Sequence, residues 1–265
     1  MSLRIGVFDS GLGGLSVLAS IARALPGADL VYFADTAHVP YGNKSDDFIR
    51  RRVLEIGHQL VEQGCTMIVV ACNTATAAAV SALRQSLPGV PVVGVEPGIK
   101  PAAKASKSGR IAVLTTTSTA RSERLARLIR LHAGTVAVDV LPCPGWATRV
   151  ETLQLDDDEF SASVRQHLAP TLAAGADRIV LGCTHYAFLA PQLETIVAGR
   201  ALLVDVADAV ARQCRRLAAA PGSAGPGRLT LLASAAPERL PAALAALGLD
   251  PLRERLREPA RLTAA

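Results

Sequence analysis

The sequence predicts an α/β protein built from two similar open parallel-sheet domains. Three observations carry that reading. Short apolar runs alternate with helical patterns, one half of the chain echoes the other, and the residues able to do chemistry fall where the apolar runs end.

Arg4–Phe8, Leu30–Ala34, Met67–Ala71, Val90–Val95, Ile111–Thr115, Ala137–Leu141, Ile179–Leu181 and Leu202–Val204 read as buried strands. They are short, rich in Val, Ile and Leu, and bounded by Gly, Pro, Asp or Thr. The clearest helix follows Ser45, an N-cap residue, with Asp46 and Asp47 suited to the positive end of a helix. Ile49, Val53, Ile56 and Leu60 then share one face of it. Gly222–Gly227 reads as a turn or linker, Leu229–Ala233 as a further strand and Glu238–Leu247 as a helix. The residues from Asp250 read as a short surface helix. Strands alternating with helices imply parallel sheets covered on both faces.

The echo is the more telling signal. Ile5-Gly-Val-Phe-Asp-Ser-Gly returns as Ile111-Ala-Val-Leu-Thr-Thr-Thr, and Ile68-Val-Val-Ala-Cys-Asn-Thr returns as Ile179-Val-Leu-Gly-Cys-Thr-His. The same Cys at the same place in both halves lifts the match above chance. Residues 1–96 with 206–265 are expected to form the first domain, and residues 97–205 the second.

Composition closes off other classes. The chain has 265 residues, half of them hydrophobic, which excludes disorder. With 21 glycines and 5 cysteines it is neither collagenous nor a disulfide scaffold. Gly64–Leu83 is free of charge and long enough to span a bilayer. Asn73, Thr74, Thr76 and Ser81 inside it favour a buried strand, a polar turn and an Ala-rich helix instead. The N-terminus lacks an apolar signal-peptide core, and the odd cysteine count fits a reducing compartment, so a cytoplasmic protein is expected. A net charge of +5 raises nucleic acid as a partner. The basic residues are scattered, however, and aromatics make up only 3%, so a solvated basic surface is the better reading.

In open α/β sheets, ligands bind beyond the carboxyl ends of strands. Asp9-Ser10-Gly11, Cys72-Asn73-Thr74 and Cys183-Thr184-His185 all fall there. Facing domains would bring Cys72 and Cys183 to one ligand from opposite sides. Helix N-termini beside them could bind carboxylates, and they lower a thiol pKa from about 8.5 toward neutrality. Cys65, Cys143 and Cys214 read as small buried hydrophobes. Gly11-Leu-Gly-Gly-Leu-Ser16 invites a dinucleotide reading, but Ser16 replaces the third glycine and Asp9 puts an anion where pyrophosphate would sit. Zinc held by Cys72, Cys183 and His185 lacks the usual closely spaced ligand pairs. None of the four lysines stands at a strand end, which argues against pyridoxal phosphate.

Several segments together are specific. Val7-Phe-Asp-Ser-Gly-Leu-Gly-Gly, Phe33-Ala-Asp-Thr, Val39-Pro-Tyr-Gly-Asn-Lys-Ser, Ala71-Cys-Asn-Thr-Ala-Thr, Gly94-Val-Glu-Pro-Gly-Ile-Lys-Pro-Ala and Leu181-Gly-Cys-Thr-His-Tyr occur in this order. The set resembles the bacterial glutamate racemases, over roughly residues 4 to 248. That resemblance implies two α/β domains with the active site between them, no cofactor, a glutamate substrate, a homodimer, and a role in supplying D-glutamate for peptidoglycan. It makes Cys72 and Cys183 the catalytic thiols, the first taking the proton from the D-isomer and the second from the L-isomer. Asp9 would assist Cys72, His185 would assist Cys183, and Glu151 matches an acid near the site. Asp9, Ser10, Tyr41, Gly42, Asn73, Thr74, Thr184 and His185 would contact the amino acid. Two positions depart from the family pattern. Ala187 stands where Pro usually follows Thr-His-Tyr, a change expected to loosen the loop of His185, and Val206 stands where a small hydroxyl residue is common. The alternatives are an aspartate or hydantoin racemase with the same thiols, or a basic interaction protein on a racemase scaffold.

Overall fold

The structure, a computed structural model, describes residues 3–155, 157–218 and 225–256. Among them the strands are β1 (Arg4–Asp9), β2 (Asp29–Ala34), β3 (Met67–Val70), β4 (Val92–Gly94), β5 (Arg110–Thr115), β6 (Ala137–Pro142), β7 (Arg178–Leu181), β8 (Leu202–Val204) and β9 (Leu229–Ala233). They form two sheets, in the orders β4-β3-β1-β2-β9 and β6-β5-β7-β8. Every pairing is parallel. Read from its other edge, the second sheet is β8-β7-β5-β6, the order of β4-β3-β1-β2 in the first. The echo in sequence is thus an echo in topology, with β9 added beyond β2.

Alternate residues of each strand enter different cores, as the period of two requires. In the first sheet Ile5, Val7, Leu30, Tyr32 and Val69 face helices Leu15–Ala24, Ala207–Leu217 and Arg239–Ala246. Phe8, Val31, Phe33, Ile68 and Val70 face helices Asp46–Glu62 and Asn73–Ser86. In the second sheet Ala112, Leu114, Ile179 and Leu181 pack under helices Trp146–Glu151, Asp158–Ala173 and Ala190–Val197. Ile111, Val113 and Val180 pack under Ile99–Ala105 and Glu123–His132.

The helix after Ser45 begins as its capping residues require, with the Ser45 hydroxyl accepting from Phe48 N at 3.3 Å. The charge-free window resolves into β3, a two-residue turn and helix Asn73–Ser86. Two strands expected to be buried are not. β6 is half-buried along most of its length, and Leu202 of β8 is 59% exposed; both are edges of the second sheet, whereas the edge strands of the first, β4 and β9, stay mostly buried. Asp250–Arg253 forms a short helix, and the remainder of the helix expected from Asp250 onward falls, from residue 257, outside the described residues. The Gly222–Gly227 turn falls partly outside the described residues. Among those described, no helix is long and apolar enough to cross a membrane.

Candidate active site

β1 delivers Asp9 to its carboxyl end, 0% exposed. Its Oδ1 accepts from Ser10 N at 2.6 Å and from the Ser10 hydroxyl at 3.3 Å. Its Oδ2 accepts from Gly14 N and, across the interface, from Thr184 Oγ1 at 3.2 Å. Burial pushes the Asp9 carboxyl above its usual range against the pull of His185, and Glu151 adds to the rise.

Cys72 caps helix Asn73–Ser86, its Sγ accepting from Ala75 N at 3.5 Å. Its thiol lies 3.9 Å from the Ser10 hydroxyl. Here the structure corrects an expectation. The helix amide does favour the thiolate, but burial and then the charge of Asp9 push Cys72 well above the ordinary thiol range, and Cys183 adds to this. Desolvation beats the helix end, so Cys72 is held as a neutral thiol. Beside it, both amide atoms of Asn73 are buried without a hydrogen-bond partner among the described residues. A buried amide left unpaired costs free energy, so a polar partner from outside the protein would be favoured there. Thr74 Oγ1 reaches Thr116 Oγ1 at 3.1 Å and Thr119 Oγ1 at 3.2 Å.

The second half supplies a chain of acid and base. Cys183 follows β7 at the offset by which Cys72 follows β3. His185 Nδ1 is 3.7 Å from Cys183 Sγ, and its Nε2 is 2.5 Å from Glu151 Oε1. Glu151 Oε1 also accepts from Leu12 N at 2.6 Å, tying the glycine loop of the first half to the acid of the second. Burial alone would lower the His185 pKa, but hydrogen bonds to Cys183 and Glu151 outweigh it and raise it well above 6.5. Tyr186, next in the chain, donates to Cys143 O at 3.2 Å and packs edge-on against Trp146. That contact joins the turn bearing His185 to the helix bearing Glu151.

The glycine loop shows why it is glycine. A Cβ on Gly11 would lie 2.0 Å from Glu151 Oε1, and one on Gly13 would lie 2.3 Å from His185 Nδ1. Its amides at Leu12 and Gly14 serve the protein's own carboxylates, Glu151 and Asp9, rather than a pyrophosphate. Among the described residues no group of three or more His, Cys, Asp or Glu side chains is placed to hold a metal ion.

Asp9, Ser10, Cys72, Thr184, His185, Glu151 and Cys183 therefore come together at the interface of the two halves. Tyr41 and Gly42 lie at its edge, with the Tyr41 hydroxyl donating to Asp35 Oδ2 at 2.5 Å. Cys65, Cys143 and Cys214 are buried elsewhere. Sequence reasoning did not single out Thr116 or Thr119, and met Asp35 only as part of the Phe33-Ala-Asp-Thr segment, with no role assigned. Thr116 was findable, because the internal echo sets it opposite Ser10. At Ala187 the turn that carries His185 is closed by Ala190 N donating to Ala187 O, and His185 is 3% exposed.

Residues 5–214 match the family of Asp/Glu/hydantoin racemases. The chain belongs to that family. Among its relatives in the racemase family, the glutamate racemase of Pseudomonas aeruginosa PAO1 is 48% identical over 219 residues, 83% of each protein. That of Pseudomonas syringae pv. tomato is 47% identical over 229 residues, covering 86% of this chain and 83% of the relative. The crystal structure of Escherichia coli glutamate racemase, in complex with L-glutamate and the activator UDP-MurNAc-Ala, superposes with a TM-score of 0.83. It is 32% identical and covers 93% of this chain and 96% of its own. The Thermus thermophilus glutamate racemase gives a TM-score of 0.80 at 35% identity, over 99% of this chain and 97% of its own. This racemase is accordingly an isomerase acting on an amino acid.

Proposed function

We propose that the chain interconverts L- and D-glutamate without a cofactor, by proton transfer at the α carbon between two thiols. The observation that carries this is the pairing of Cys72 and Cys183. Both are 6% exposed, both stand just past equivalent strands, and they come from opposite halves. Inverting a stereocentre requires a base on one face and an acid on the other. Cys72, held neutral, suits the donor's part. The imidazolium favoured at His185 stands beside Cys183 and balances the charge of a thiolate there. L-Glutamate would lose its α proton to Cys183 and receive one from Cys72, with the roles reversed for the D-isomer. Asp9 and the His185–Glu151 pair reset the two thiols. Charge developing next to the substrate carboxylate would meet Asn73, Thr74, Thr184 and nearby amides. Residues 1–96 with 206–265 would move as one domain and 97–205 as the other, parting to admit substrate. The enzyme would work as a cytoplasmic homodimer supplying D-glutamate for peptidoglycan.

The test is to incubate purified protein with each enantiomer of glutamate and of aspartate and follow chirality. Glutamate should be preferred by kcat/KM. A methylene's difference is worth roughly 10–200-fold in a shaped pocket, and more if the distal carboxylate loses its donors. Equal or better turnover of aspartate would make this an aspartate racemase with the same thiols.

A further inference from the structure

Asp35, one residue beyond β2, is 0% exposed, yet its carboxylate hydrogen-bonds to neither thiol. Its carboxylate is saturated from elsewhere. Oδ2 accepts from the Tyr41 hydroxyl at 2.5 Å and from Arg52 Nε at 3.0 Å, while Oδ1 accepts from Arg52 Nη2 at 2.7 Å. Arg52 reaches in from helix Asp46–Glu62, where Glu55 also holds it at 2.7 Å. Burial would raise the Asp35 pKa, but the bonds from Arg52, Tyr41 and Ser234 overcome that and lower it. Asp35 N donates to Asp9 O at 3.0 Å, and Asp35 O accepts from His38 N at 2.9 Å, so the residue also pins both ends of its own loop. Tyr41 is 1% exposed and gives its only hydroxyl proton to this carboxylate. Burial and the Asp35 charge hold that phenol far above its ordinary range, with Cys72 close enough to contribute.

We infer that Asp35 is a positioning residue for the substrate-binding segment Tyr41–Gly42, locking it through the Tyr41 hydroxyl and the Arg52 guanidinium. The inference rests on the racemase reading of the site. It reassigns Tyr41: its hydroxyl holds the loop and leaves the backbone to face the amino acid. A bidentate guanidinium fits this better than a lysine, because the planar fork fixes the carboxylate in two directions.

The experiment compares wild type with Tyr41→Phe, Asp35→Asn, Arg52→Lys and the Tyr41→Phe/Asp35→Asn double variant, in steady-state kinetics with D- and L-glutamate. Each single change should raise KM roughly tenfold in both directions and lower kcat less than about threefold, as loss of ground-state positioning does. The double variant should be little worse than Asp35→Asn, because both changes break one contact. Fully additive effects, or a Tyr41→Phe that lowers kcat at unchanged KM, would place the hydroxyl on the substrate and overturn the inference. Unchanged KM in all variants, with only the melting temperature lowered, would reduce Asp35 to a structural residue. Tyr41→Phe removes one oxygen and leaves the Arg52–Asp35 pair intact, so it tests the point should Asp35→Asn fail to fold. Wild type inactive on both glutamate and aspartate would overturn the racemase reading instead, and this inference with it.

Discussion

Gly13 has no side chain because the His185 ring stands where one would begin, so the site depends on two segments from opposite halves meeting without a spare atom between them. Gly13→Ala should therefore separate the halves and cut racemisation by about two orders of magnitude, the usual size for an ångström of misplacement. Chirality assays beside a melting curve will show whether activity falls further than folding. Cys72→Ser and Cys183→Ser should each abolish racemisation and leave the fold intact, since a hydroxyl cannot serve as the base near neutral pH. Full activity in either would remove the two-thiol mechanism. His185 adds a pH signature. Its pKa is raised in the folded protein, so its contribution to stability is complete below about pH 6.5 and lost as pH rises through the folded value. Melting temperatures of wild type and His185→Gln should differ most in acid and converge in alkali; a gap that widens with pH would contradict this. At this scale the thiols were legible, because Cys-polar-polar after an apolar run is a local pattern. The neutrality of Cys72 was not. It comes from burial and from Asp9, and neither shows in the residues around the thiol.

Among the elements, all the strands read from the apolar runs appear, since a strand buried on both faces leaves a continuous Val, Ile and Leu signal. That signal does not separate centre from edge. β6 and β8 carry the same apolar signal as the other strands, and nothing local to them shows that they form the half-exposed edges of the second sheet. Helix starts were legible where a side chain makes the cap, as at Ser45, and Ser45→Ala should lower stability by about 1 kcal/mol in denaturant melts. The strap at the end of the described chain could not be read from pattern. Arg255 donates to Gly227 O at 2.9 Å, to Pro26 O at 3.1 Å and also to Ala28 O, fastening the segment after helix Asp250–Arg253 to the entry of β2. These are charged donors to carbonyls with no carboxylate among them, and burial lowers the guanidinium pKa. Arg255→Ala should lower the melting temperature and leave kcat unchanged, because the strap binds the amino-terminal entries of β2 and β9, whereas the thiols stand past the carboxyl ends of β3 and β7. A loss of kcat with an unchanged melting temperature would show that the strap acts on the site.

The whole molecule is one topological unit used twice, with strand order β4-β3-β1-β2 matched by β8-β7-β5-β6 and a cysteine just past the second strand of each. On the two-thiol mechanism proposed above, two halves brought face to face would put those cysteines on opposite sides of the substrate, so duplication would supply the geometry that mechanism needs. The supporting residues are not duplicated: Asp9 in the first half is echoed by Thr115, and His185 in the second by Thr74. The two faces are therefore chemically unequal, and the proton taken from one face should not be the proton returned to the other. In deuterated water, starting from pure L-glutamate, early D-glutamate should carry deuterium at the α carbon while recovered L-glutamate carries little. On the proposed mechanism, the thiol that takes the proton from L-glutamate would hold a single proton and return it on reversal, whereas the opposite thiol would already have exchanged with solvent. Starting from D-glutamate should give the mirror result, with the extent of substrate washout differing between the two directions because His185 and Asp9 reset their thiols differently. Equal labelling of both pools at early times, read by mass and α-proton resonance, would mean one shared base and would detach the duplicated fold from the mechanism proposed for it.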